Sequence, residues 1–321
     1  MSLRVAIQMD PIEGVDIDAD TTFALALEAQ ARGHSVCVFH PNELVWDRGA
    51  IRARTRAVTL RRERGNHVDF APAESLDLRA DADIVLMRQD PPFDMAYLTA
   101  AHVLEQLAPD TMVLNDPFWV RSSPEKVMVL DFPELGPATL VSRDVAEIRA
   151  FRKEMGDVIV KPLYGNGGAG VFALKGADPN LAALLELFFE RSREPVIAQQ
   201  YLPDVSKGDK RVILIDGEAA GAINRVPQAG EARSNMHVGG KAEKSGLDDH
   251  DMKICETIGP VLKQRGLVLV GIDVIGGKLT EINVTSPTGV QELKRFSGVD
   301  CAALFWDAAE RRWADKDFPA R

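Results

Sequence analysis

Residues 271–289, GIDVIGGKLTEINVTSPTG, contain the most informative pattern in the chain. Two runs rich in Val, Ile and Leu, residues 267–274 and 278–284, meet at Gly276-Gly277. This pattern is typical of two antiparallel strands joined by a tight turn. We therefore predict a β-hairpin here.

Three polar side chains interrupt these apolar strands: Asp273, Glu281 and Asn283. Acidic and amide side chains are depleted in strands, whereas their oxygens are the ligands that Mg²⁺ prefers. Because side chains alternate with a period of two, Asp273 and Glu281 share a face only if the loop is odd or a bulge interrupts one strand. A metal site therefore predicts such an irregularity, and a solvated hairpin face is the alternative.

The composition is that of an ordinary globular protein of two or three packed units, with 321 residues that are 45% hydrophobic and 27% charged. The 48 acidic residues outnumber the 38 basic ones, for a net charge of −10. This excess argues against a nucleic acid or an anionic membrane as partner. It leaves room for an anionic substrate in a locally basic cleft.

The cysteines indicate a reducing compartment. Cys37, Cys255 and Cys301 are scattered and odd in number, without metal-ligand or redox spacing. The chain has neither a signal-like start nor an apolar run of about 18 residues. We expect a cytoplasmic protein without a membrane segment.

The first third of the chain has the pattern of a doubly wound α/β domain, residues 1–122. A strand at residues 3–9, a helix at 21–32 and a strand at 35–39 form a βαβ unit, which implies parallel strands. The first strand is followed by MDPIEGVD instead of a glycine-rich fingerprint, so a nicotinamide cofactor is not expected. The loop RQDPP at residues 88–92 is either a ligand loop or a double-proline turn.

The middle of the chain contains a glycine loop. Ser123-Pro124-Glu125-Lys126 predicts the start of a helix, and a later strand ends in Lys161, followed by PLYGNGGAG. Because the next segment, residues 171–174, is strand-like, this is not a dinucleotide fingerprint or a P-loop. The pattern indicates either a flexible loop that closes over phosphates or a plain hairpin turn.

The last third supplies further candidates. The strand at residues 196–202 can offer backbone groups to a flat base such as adenine, and Asp216-Gly217 is a strong hairpin signal. Arg211 and Arg225 lie in or beside the strands of that hairpin, where arginine suits carboxylate or phosphate binding. Residues 226–246 lack periodicity and are predicted to be a lid or binding loop.

This constellation suits phosphoryl chemistry, and the chain resembles the ATP-grasp ligases and, more closely, the bacterial glutathione synthetases. The similar segments span almost the whole chain, and DPPFD with EINVTSPTG is the most specific part. They are MDPIEGVDIDADTTFALALEAQARGH, LMRQDPPFDMAY, IVKPLYGNGGAGVF, AQQYLP, GDKRVILIDGE, RVPQAGEARSN and LVGIDVIGGKLTEINVTSPTG.

The resemblance implies a fold: an N-terminal doubly wound parallel-sheet domain that binds substrate, followed by a two-lobed ATP-grasp domain of antiparallel sheets with helices. The first lobe would be residues 123–202, with the glycine loop. The second would be residues 203–321, with a lid at 226–241 and the metal site.

The resemblance also implies a reaction. ATP phosphorylates the cysteinyl carboxylate of γ-glutamylcysteine, and the glycine amine attacks the acyl phosphate to give glutathione, ADP and phosphate. The cofactor set would be ATP with Mg²⁺, or Mn²⁺, and the chain would form a homo-oligomer, a tetramer by resemblance.

Roles carry over to matching positions as expectations. ATP-binding residues would be Lys126, Lys161, Gly165, Gly167, Gly168, Gln199, Tyr201, Leu202 and Asp209. The metal ligands would be Asp273, Glu281 and Asn283. Catalytic residues would be Arg211, Arg225 and Asn283, and peptide-binding residues Arg225, Ser286, Thr288 and Gly289. The chain departs from the family pattern at Tyr164 and Asn166, where the family has Asp and Met, and at Lys241, where it has Arg.

Two alternatives remain open on the sequence. Another ATP-grasp carboxylate–amine ligase, of the D-alanine–D-alanine or glutamate-adding type, would share the nucleotide and metal residues. A non-catalytic ATP-binding regulatory protein would keep the fold, although it would have little need for Arg211 and the three cation ligands.

Overall fold

The structure is a computed structural model that describes residues 2–228 and 240–317. Three sheets contain its strands, and the first sheet is built from the N-terminal third. The strands of that sheet are β1 (Arg4–Gln8), β2 (Ser35–Phe39), β3 (Leu44–Asp47), β4 (Ala50–Leu60), β5 (Val68–Phe70), β6 (Glu74–Asp77), β7 (Ile84–Met87) and β8 (Met112–Leu114). The accompanying helices are α1 (Thr21–Ala31), α2 (Leu78–Asp81), α3 (Met95–Glu105) and α4 (Pro117–Ser122).

The first sheet has the strand order β3-β4-β2-β1-β7-β8, with β5 and β6 also paired to β4. Strands β1, β2, β7 and β8 are parallel neighbours, as the βαβ pattern predicts. Asp20 caps α1 by accepting a hydrogen bond from the Phe23 amide, 2.6 Å away. Because β1 and β7 are parallel, their carboxyl ends lie at the same edge of the sheet, and the loop at residues 88–94 follows β7 there. Such an edge is where α/β sheets usually bind ligands.

The second sheet is antiparallel, with the order β11-β10-β12-β9. Its strands and helices are β9 (Thr139–Ser142), α5 (Val145–Met155), β10 (Val158–Pro162), β11 (Phe172–Leu174), α6 (Leu181–Arg191) and β12 (Val196–Gln200). Apolar residues of both helices and of three of the strands pack into one core, including Ile148, Val160 and Leu185. The glycine loop is the connection between β10 and β11.

The third sheet is also antiparallel, with the order β15-β14-β13-β16-β17. Its elements are β13 (Asp209–Ile215), β14 (Glu218–Val226), β15 (Lys241–Ser245), α7 (Asp249–Gln264), β16 (Leu269–Ile275), β17 (Lys278–Asn283), α8 (Val290–Ser297) and α9 (Cys301–Asp315). The predicted Asp216-Gly217 turn joins β13 to β14 with φ values of 52° and 84°, which is the geometry that favours Gly or Asp in a two-residue hairpin.

The last helix returns to the first sheet. Trp306 is fully buried and donates its indole N–H to the Leu25 carbonyl, 2.8 Å away. Arg32, just after α1, forms an ion pair with Asp307 at 2.8 Å. The C-terminal part of the chain therefore shares a hydrophobic core with the N-terminal sheet. Within the described ranges, no helix is both long and apolar enough to cross a membrane.

The predicted helix start at residues 123–126 is wrong. The chain makes one turn, in which the Met128 amide bonds to the Pro124 carbonyl at 2.9 Å, and then a 3₁₀ helix at Met128–Asp131. The segment lies beside β17, and its Glu125 carbonyl accepts a hydrogen bond from the Ile282 amide of that strand at 3.0 Å. Partners outside the segment therefore replace the bonds of a longer helix.

The predicted loop at residues 226–246 is wrong at both ends. Val226 closes β14, Lys241 opens β15, and the two residues are directly paired. The predicted lid at 226–241 therefore has strand residues at both limits. Its middle part, residues 229–239, lies outside the part of the chain that the structure describes.

Candidate active site

The β16–β17 hairpin contains the irregularity that the metal hypothesis requires. Gly276 and Gly277 form a two-residue turn with φ values of 55° and 73°. The pairing then shifts by one residue, so that Asp273 stands opposite Glu281. The extra residue is Thr280, which forms a β-bulge. The predicted bulge is confirmed, and it brings the two carboxylates to the same face.

Two arginines from neighbouring strands hold Asp273, which is 3% exposed. Arg211 makes a bidentate contact, with Nε 2.6 Å from Oδ1 and Nη2 3.1 Å from Oδ2. Arg225 Nη2 lies 2.8 Å from Oδ1. Burial alone raises the pKa of Asp273, but the charges of Arg211 and Arg225 outweigh it and hold that pKa well below its usual value. Asp273 is therefore ionised at neutral pH.

Glu281 faces two lysines. Lys161 Nζ lies 3.0 Å from Glu281 Oε1, and Lys126 Nζ lies 3.6 Å from the same oxygen. Burial acts to raise the pKa of Glu281, and the attraction of Lys126 and Lys161 outweighs it, so that the pKa is lowered. The site thus consists of two ionised carboxylates with two cationic side chains beside each.

Lys126 connects this carboxylate to the glycine loop. Its ammonium donates a hydrogen bond to the Gly165 carbonyl and also contacts Glu125. Burial lowers the pKa of Lys126, but Glu281 and Glu125 outweigh it and raise the pKa. Glu125 has a raised pKa because it is buried and lies near Glu281. The sequence signal for Glu125 was only its position next to Lys126, and its presence in the site was not predicted.

The glycine loop turns through backbone conformations that only glycine adopts freely. Gly167, Gly168 and Gly170 have φ values of 61°, 81° and 71°. A Cβ on Gly170 would lie 2.8 Å from Cγ of Pro162. Strand β11 follows the loop and pairs antiparallel with β10, as the sequence predicts. Gly165, Gly167 and Gly168 therefore belong to the short connection between β10 and β11.

A cleft of about 700 Å³, which includes open solvent, separates the second sheet from the third. Residues of both sheets and of the connection after β12 line it. They are Pro137, Ile159, Lys161, Val171, Gln199, Gln200, Tyr201, Leu202, Val205, Asp209, Asp273, Ile275, Thr280 and Glu281. The structure thus brings the predicted adenine strand, a predicted phosphate lysine and two predicted metal ligands to one cavity.

At the β12 end of this cleft, the Gln199 side chain is 4% exposed and donates to Thr139 Oγ1 at 3.1 Å. The Tyr201 hydroxyl accepts a hydrogen bond from Lys175 Nζ at 2.8 Å, and the same ammonium lies 4.0 Å from the centre of the Tyr201 ring. Lys175 and Thr139 were not predicted, because neither belongs to a recognisable motif. Asp209, on β13, forms an ion pair with Arg225 at 2.6 Å.

The segment after β17 lies between the third sheet and the N-terminal sheet. Ser286 Oγ donates to the Gln89 carbonyl at 2.8 Å, and the Thr288 carbonyl accepts from Arg211 Nη1 at 3.2 Å. Gly289 has a φ of 105°, and a Cβ there would lie 3.2 Å from Ile223 Cδ1. The four predicted peptide-binding positions, of which Arg225 is one, therefore lie along one wall that ends at Asp273.

Arg88 secures the same wall from the N-terminal sheet. Its guanidinium is 6% exposed and donates to Thr22 Oγ1 at 3.1 Å, to the Thr285 carbonyl at 3.3 Å and to the Pro287 carbonyl at 3.4 Å. Burial lowers the pKa of Arg88. The loop at residues 88–92, which the sequence left undecided between a ligand loop and a turn, therefore contacts the candidate site directly.

The donor set fits a hard divalent cation. Asn283 Nδ2 lies 3.4 Å from Asp273 Oδ2, so the amide stands next to the carboxylate pair. Two carboxylates and an amide are oxygen ligands, and Mg²⁺ is commonly held by one or two carboxylates plus substrate phosphates. Among the described residues, no group of three His, Cys, Asp or Glu side chains is arranged to hold a metal ion.

A family model described as "Prokaryotic glutathione synthetase, N-terminal domain" matches residues 3–121, and one described as "Prokaryotic glutathione synthetase, ATP-grasp domain" matches residues 125–298. The glutathione synthetase of Mesorhizobium japonicum is 57% identical over 97% of this chain and 99% of its own length. That of Brucella melitensis is 56% identical over 97% of this chain and all of its own length.

Solved structures share the fold at low identity. The D-cycloserine synthetase DcsG superposes with a TM-score of 0.68 at 17% identity, covering 96% of this chain and 99% of that one. D-alanyl-alanine synthetase A from Vibrio cholerae superposes with a TM-score of 0.60 at 12% identity, covering 98% of this chain and 99% of that one.

Two antiparallel sheets with a cleft between them follow a parallel α/β unit, and the ATP-grasp family model matches this part of the chain, so the protein is an ATP-dependent ligase of the ATP-grasp class. The predicted fold class is confirmed. With two family models that together match most of its length, the chain belongs to the prokaryotic glutathione synthetase family. The predicted activity, ATP-dependent synthesis of glutathione, is confirmed, and the other ligase types are not favoured.

Proposed function

We propose that the cleft between the two antiparallel sheets binds ATP and that the wall at residues 286–289 binds γ-glutamylcysteine, with glycine as the second substrate. ATP transfers its γ-phosphoryl group to the cysteinyl carboxylate, and ADP leaves. The glycine amine then attacks the carbonyl carbon, the new C–N bond replaces the C–O bond to phosphate, and the nitrogen loses a proton. The products are glutathione, ADP and phosphate, and no covalent intermediate with the protein is required.

In this proposal, Lys126 and Lys161 hold ATP phosphates, and the glycine loop at Gly165, Gly167 and Gly168 covers them. Support comes from the hydrogen bond of Lys126 to the Gly165 carbonyl and from the position of both ammonium groups beside the same oxygen of Glu281. Phosphoryl transfer needs mainly positioning and neutralisation of charge. Two buried ammonium groups and the backbone of a glycine-rich loop supply both.

The adenine and ribose lie, in this proposal, along Gln199, Tyr201, Leu202 and Asp209. Gln199 lies near the end of β12, and Tyr201 and Leu202 come directly after the strand ends at Gln200. Their support is their shared position in the lining of the cleft with Lys161. Asp209 stands on β13 of the opposite sheet and lines the same cleft, where it would face the ribose.

Asp273, Glu281 and Asn283 would hold the divalent cation, and their low-pKa carboxylates would be ready to bind it at neutral pH. When bound, Mg²⁺ or Mn²⁺ supplies positive charge that neutralises the phosphates and polarises the phosphorus–oxygen bond. The choice between the two ions stays a prediction. It is tested by comparing ADP release with each ion at equal concentration.

Arg211 and Arg225 are proposed to stabilise the negative charge of the acyl phosphate and the tetrahedral oxyanion, with Asn283 donating its amide beside them. Their bonds to Asp273 hold both guanidinium planes fixed before substrate arrives, so little reorganisation is needed. Arg225, Ser286, Thr288 and Gly289 are proposed to hold the peptide substrate. The Ser286 hydrogen is donated to Gln89, so Ser286 would accept from the peptide instead of donating to it.

The single observation that carries the proposal is the bulge that sets Asp273 opposite Glu281 in the same cleft as Lys161. A cation site and a phosphate-binding lysine in one cleft suit a nucleoside triphosphate with its metal. The test is ADP release with ATP, Mg²⁺ and glycine, with γ-glutamylcysteine, D-alanine or free glutamate as acceptor. Stimulation by γ-glutamylcysteine alone, with glutathione as product, is expected. Stimulation by another acceptor would overturn the substrate assignment.

Three finer properties remain predictions. A tetrameric state follows from the family resemblance and is tested by light scattering. The domain limits at residues 122 and 202 are tested by limited proteolysis. Cytoplasmic location agrees with three cysteines of which none forms a disulfide and with a thiol substrate, and fractionation of cells that express the tagged chain tests it.

A further inference from the structure

The loop at residues 88–94 contacts two parts of the site, the substrate wall at residues 286–289 and the start of the glycine loop. On one side, Ser286 donates to its Gln89 carbonyl at 2.8 Å. On the other, the Phe93 ring stacks on the ring of Tyr164, with centroids 6.2 Å apart and planes within 19°. Tyr164 is the residue before Gly165, so the stacked pair joins the N-terminal domain to the start of the glycine loop.

The Phe93 side chain also packs against the N-terminal sheet's core. Its ring lies 5.2 Å from that of Tyr97, on α3, and Tyr97 is fully buried in the N-terminal sheet's core. Three rings in a row therefore connect that core to the glycine loop. Aromatic pairs in this range of distances and tilts attract each other beyond the area they bury. Phe93 and Tyr164 are themselves half-buried, so the contact can open without exposing a core.

Near this point the glycine loop is also held through its backbone, where the Ala169 amide donates to the Asn166 carbonyl at 3.1 Å. Lys126 donates to the carbonyl of Gly165, and three glycines with positive φ follow. Glycines give the backbone many alternative conformations. The stack of Tyr164 on Phe93 is a side-chain contact that links the start of the loop to the N-terminal domain.

We propose that Phe93 and Tyr164 are positioning residues that hold the glycine loop over the ATP phosphates by stacking across the domain boundary. The inference rests on the proposed role of the glycine loop. When a binding-competent loop is only partly populated, the apparent affinity falls by that fraction. Loss of either ring should therefore weaken ATP binding, and the two losses should not add, because one contact is broken in both cases.

The test uses the full chain and the variants Tyr164→Leu, Phe93→Leu, the double variant and Tyr164→Phe. Each leucine variant should raise the KM for ATP about three- to tenfold, and the double variant should raise it no further. Tyr164→Phe keeps the ring and should stay within about twofold of wild type. The dissociation constant of the Mg²⁺ complex of a non-hydrolysable ATP analogue, measured by calorimetry, should rise by the same factor.

Phe118→Leu is the matched control, since Phe118 is a partly exposed ring that packs edge-on against Trp119 outside the cleft. It should leave the KM for ATP unchanged. Thermal unfolding of each variant separates a folding defect from weakened binding, and Tyr164→Phe tests the ring even if a leucine variant unfolds. An unchanged KM for ATP in the leucine variants would overturn the proposed role of the two rings. So would a double variant in which the KM increases of the two single variants multiply. Absence of γ-glutamylcysteine-dependent ADP release by wild type would overturn the proposed function instead.

Discussion

Asp273 and Glu281 face each other across β16 and β17 although the turn between the strands has only two residues. An uninterrupted ladder from that turn would set Asp273 opposite Thr280. The bulge displaces Thr280, whose hydroxyl donates to the Asp273 carbonyl at 3.1 Å. One extra residue therefore decides whether the hairpin can hold a cation, because a shift by one exchanges the two faces of a strand.

Glu281→Gln tests the cation site. The amide matches the carboxylate in shape, so the fold should persist, but a negatively charged ligand is lost. We expect ADP release to fall about 100-fold or more, and the Mg²⁺ concentration for half-maximal rate to rise. Titration of activity with Mg²⁺, alongside circular dichroism, measures both. Glu243→Gln, at an exposed position on β15, should retain wild-type activity, and near-normal turnover of Glu281→Gln would contradict the metal assignment.

Asp273→Asn should cost stability as well as activity. Its carboxylate lies between Arg211 and Arg225 and is 3% exposed, so the variant leaves two buried guanidinium groups without their shared partner. We expect the free energy of unfolding to fall by about 3 kcal/mol, measured by urea denaturation. The control is Asp110→Asn, which removes an exposed ion pair with Arg79 and should change stability by less than about 1 kcal/mol. Equal effects of the two variants would show that the buried pair is not special.

The same pair predicts a pH dependence. The folded-state pKa of Asp273 lies below its unfolded value, because the two arginines outweigh the effect of burial. The stabilisation is therefore fully present above the unfolded pKa, about 3.9, and is lost as the pH falls further toward the folded value. The stability difference between wild type and Asp273→Asn should be constant from pH 8 to about 5 and shrink below about 4. A difference that grew on acidification would contradict this ion pairing.

Arg88→Lys tests the connection between the N-terminal sheet and the substrate wall. A lysine cannot reproduce the fork that reaches Thr22, Thr285 and Pro287. We expect a loss of about 2 kcal/mol in unfolding free energy and a raised KM for γ-glutamylcysteine with little change in the KM for ATP. Arg48→Lys, at a side chain that is 90% exposed, should alter neither quantity. If ATP alone were affected, the wall would not belong to the peptide.

The three cysteines should be inert in the folded protein. Burial raises the pKa of the Cys255 and Cys301 thiols to about 12 and that of Cys37 to about 11. At pH 8 the reactive thiolate is then scarce. A disulfide reagent such as Ellman's reagent should label none of them within minutes in buffer and all three in guanidinium chloride. Fast labelling without denaturant would show that one of the thiols is accessible.

The elements whose hydrogen bonds are local could be predicted from the sequence. The cap and periodicity of α1, the Asp216-Gly217 turn and the antiparallel setting of the glycine loop follow from residues close along the chain. The candidate cation ligands were also identifiable, because polar side chains in an apolar strand are rare. Helices and tight turns form within a few residues, so their signals are local.

Other features depend on partners that are distant along the chain, and only the tertiary structure shows them. The segment after Ser123 gives a backbone carbonyl to β17 instead of completing a helix, residues 241–245 become a strand because β14 is beside them, and Thr280 is bulged. Arg211 and Arg225 meet at Asp273 only because three strands pair in one register. The physical reason is that backbone and charged groups bind whichever partners the fold brings within reach, and those partners lie tens to hundreds of residues away.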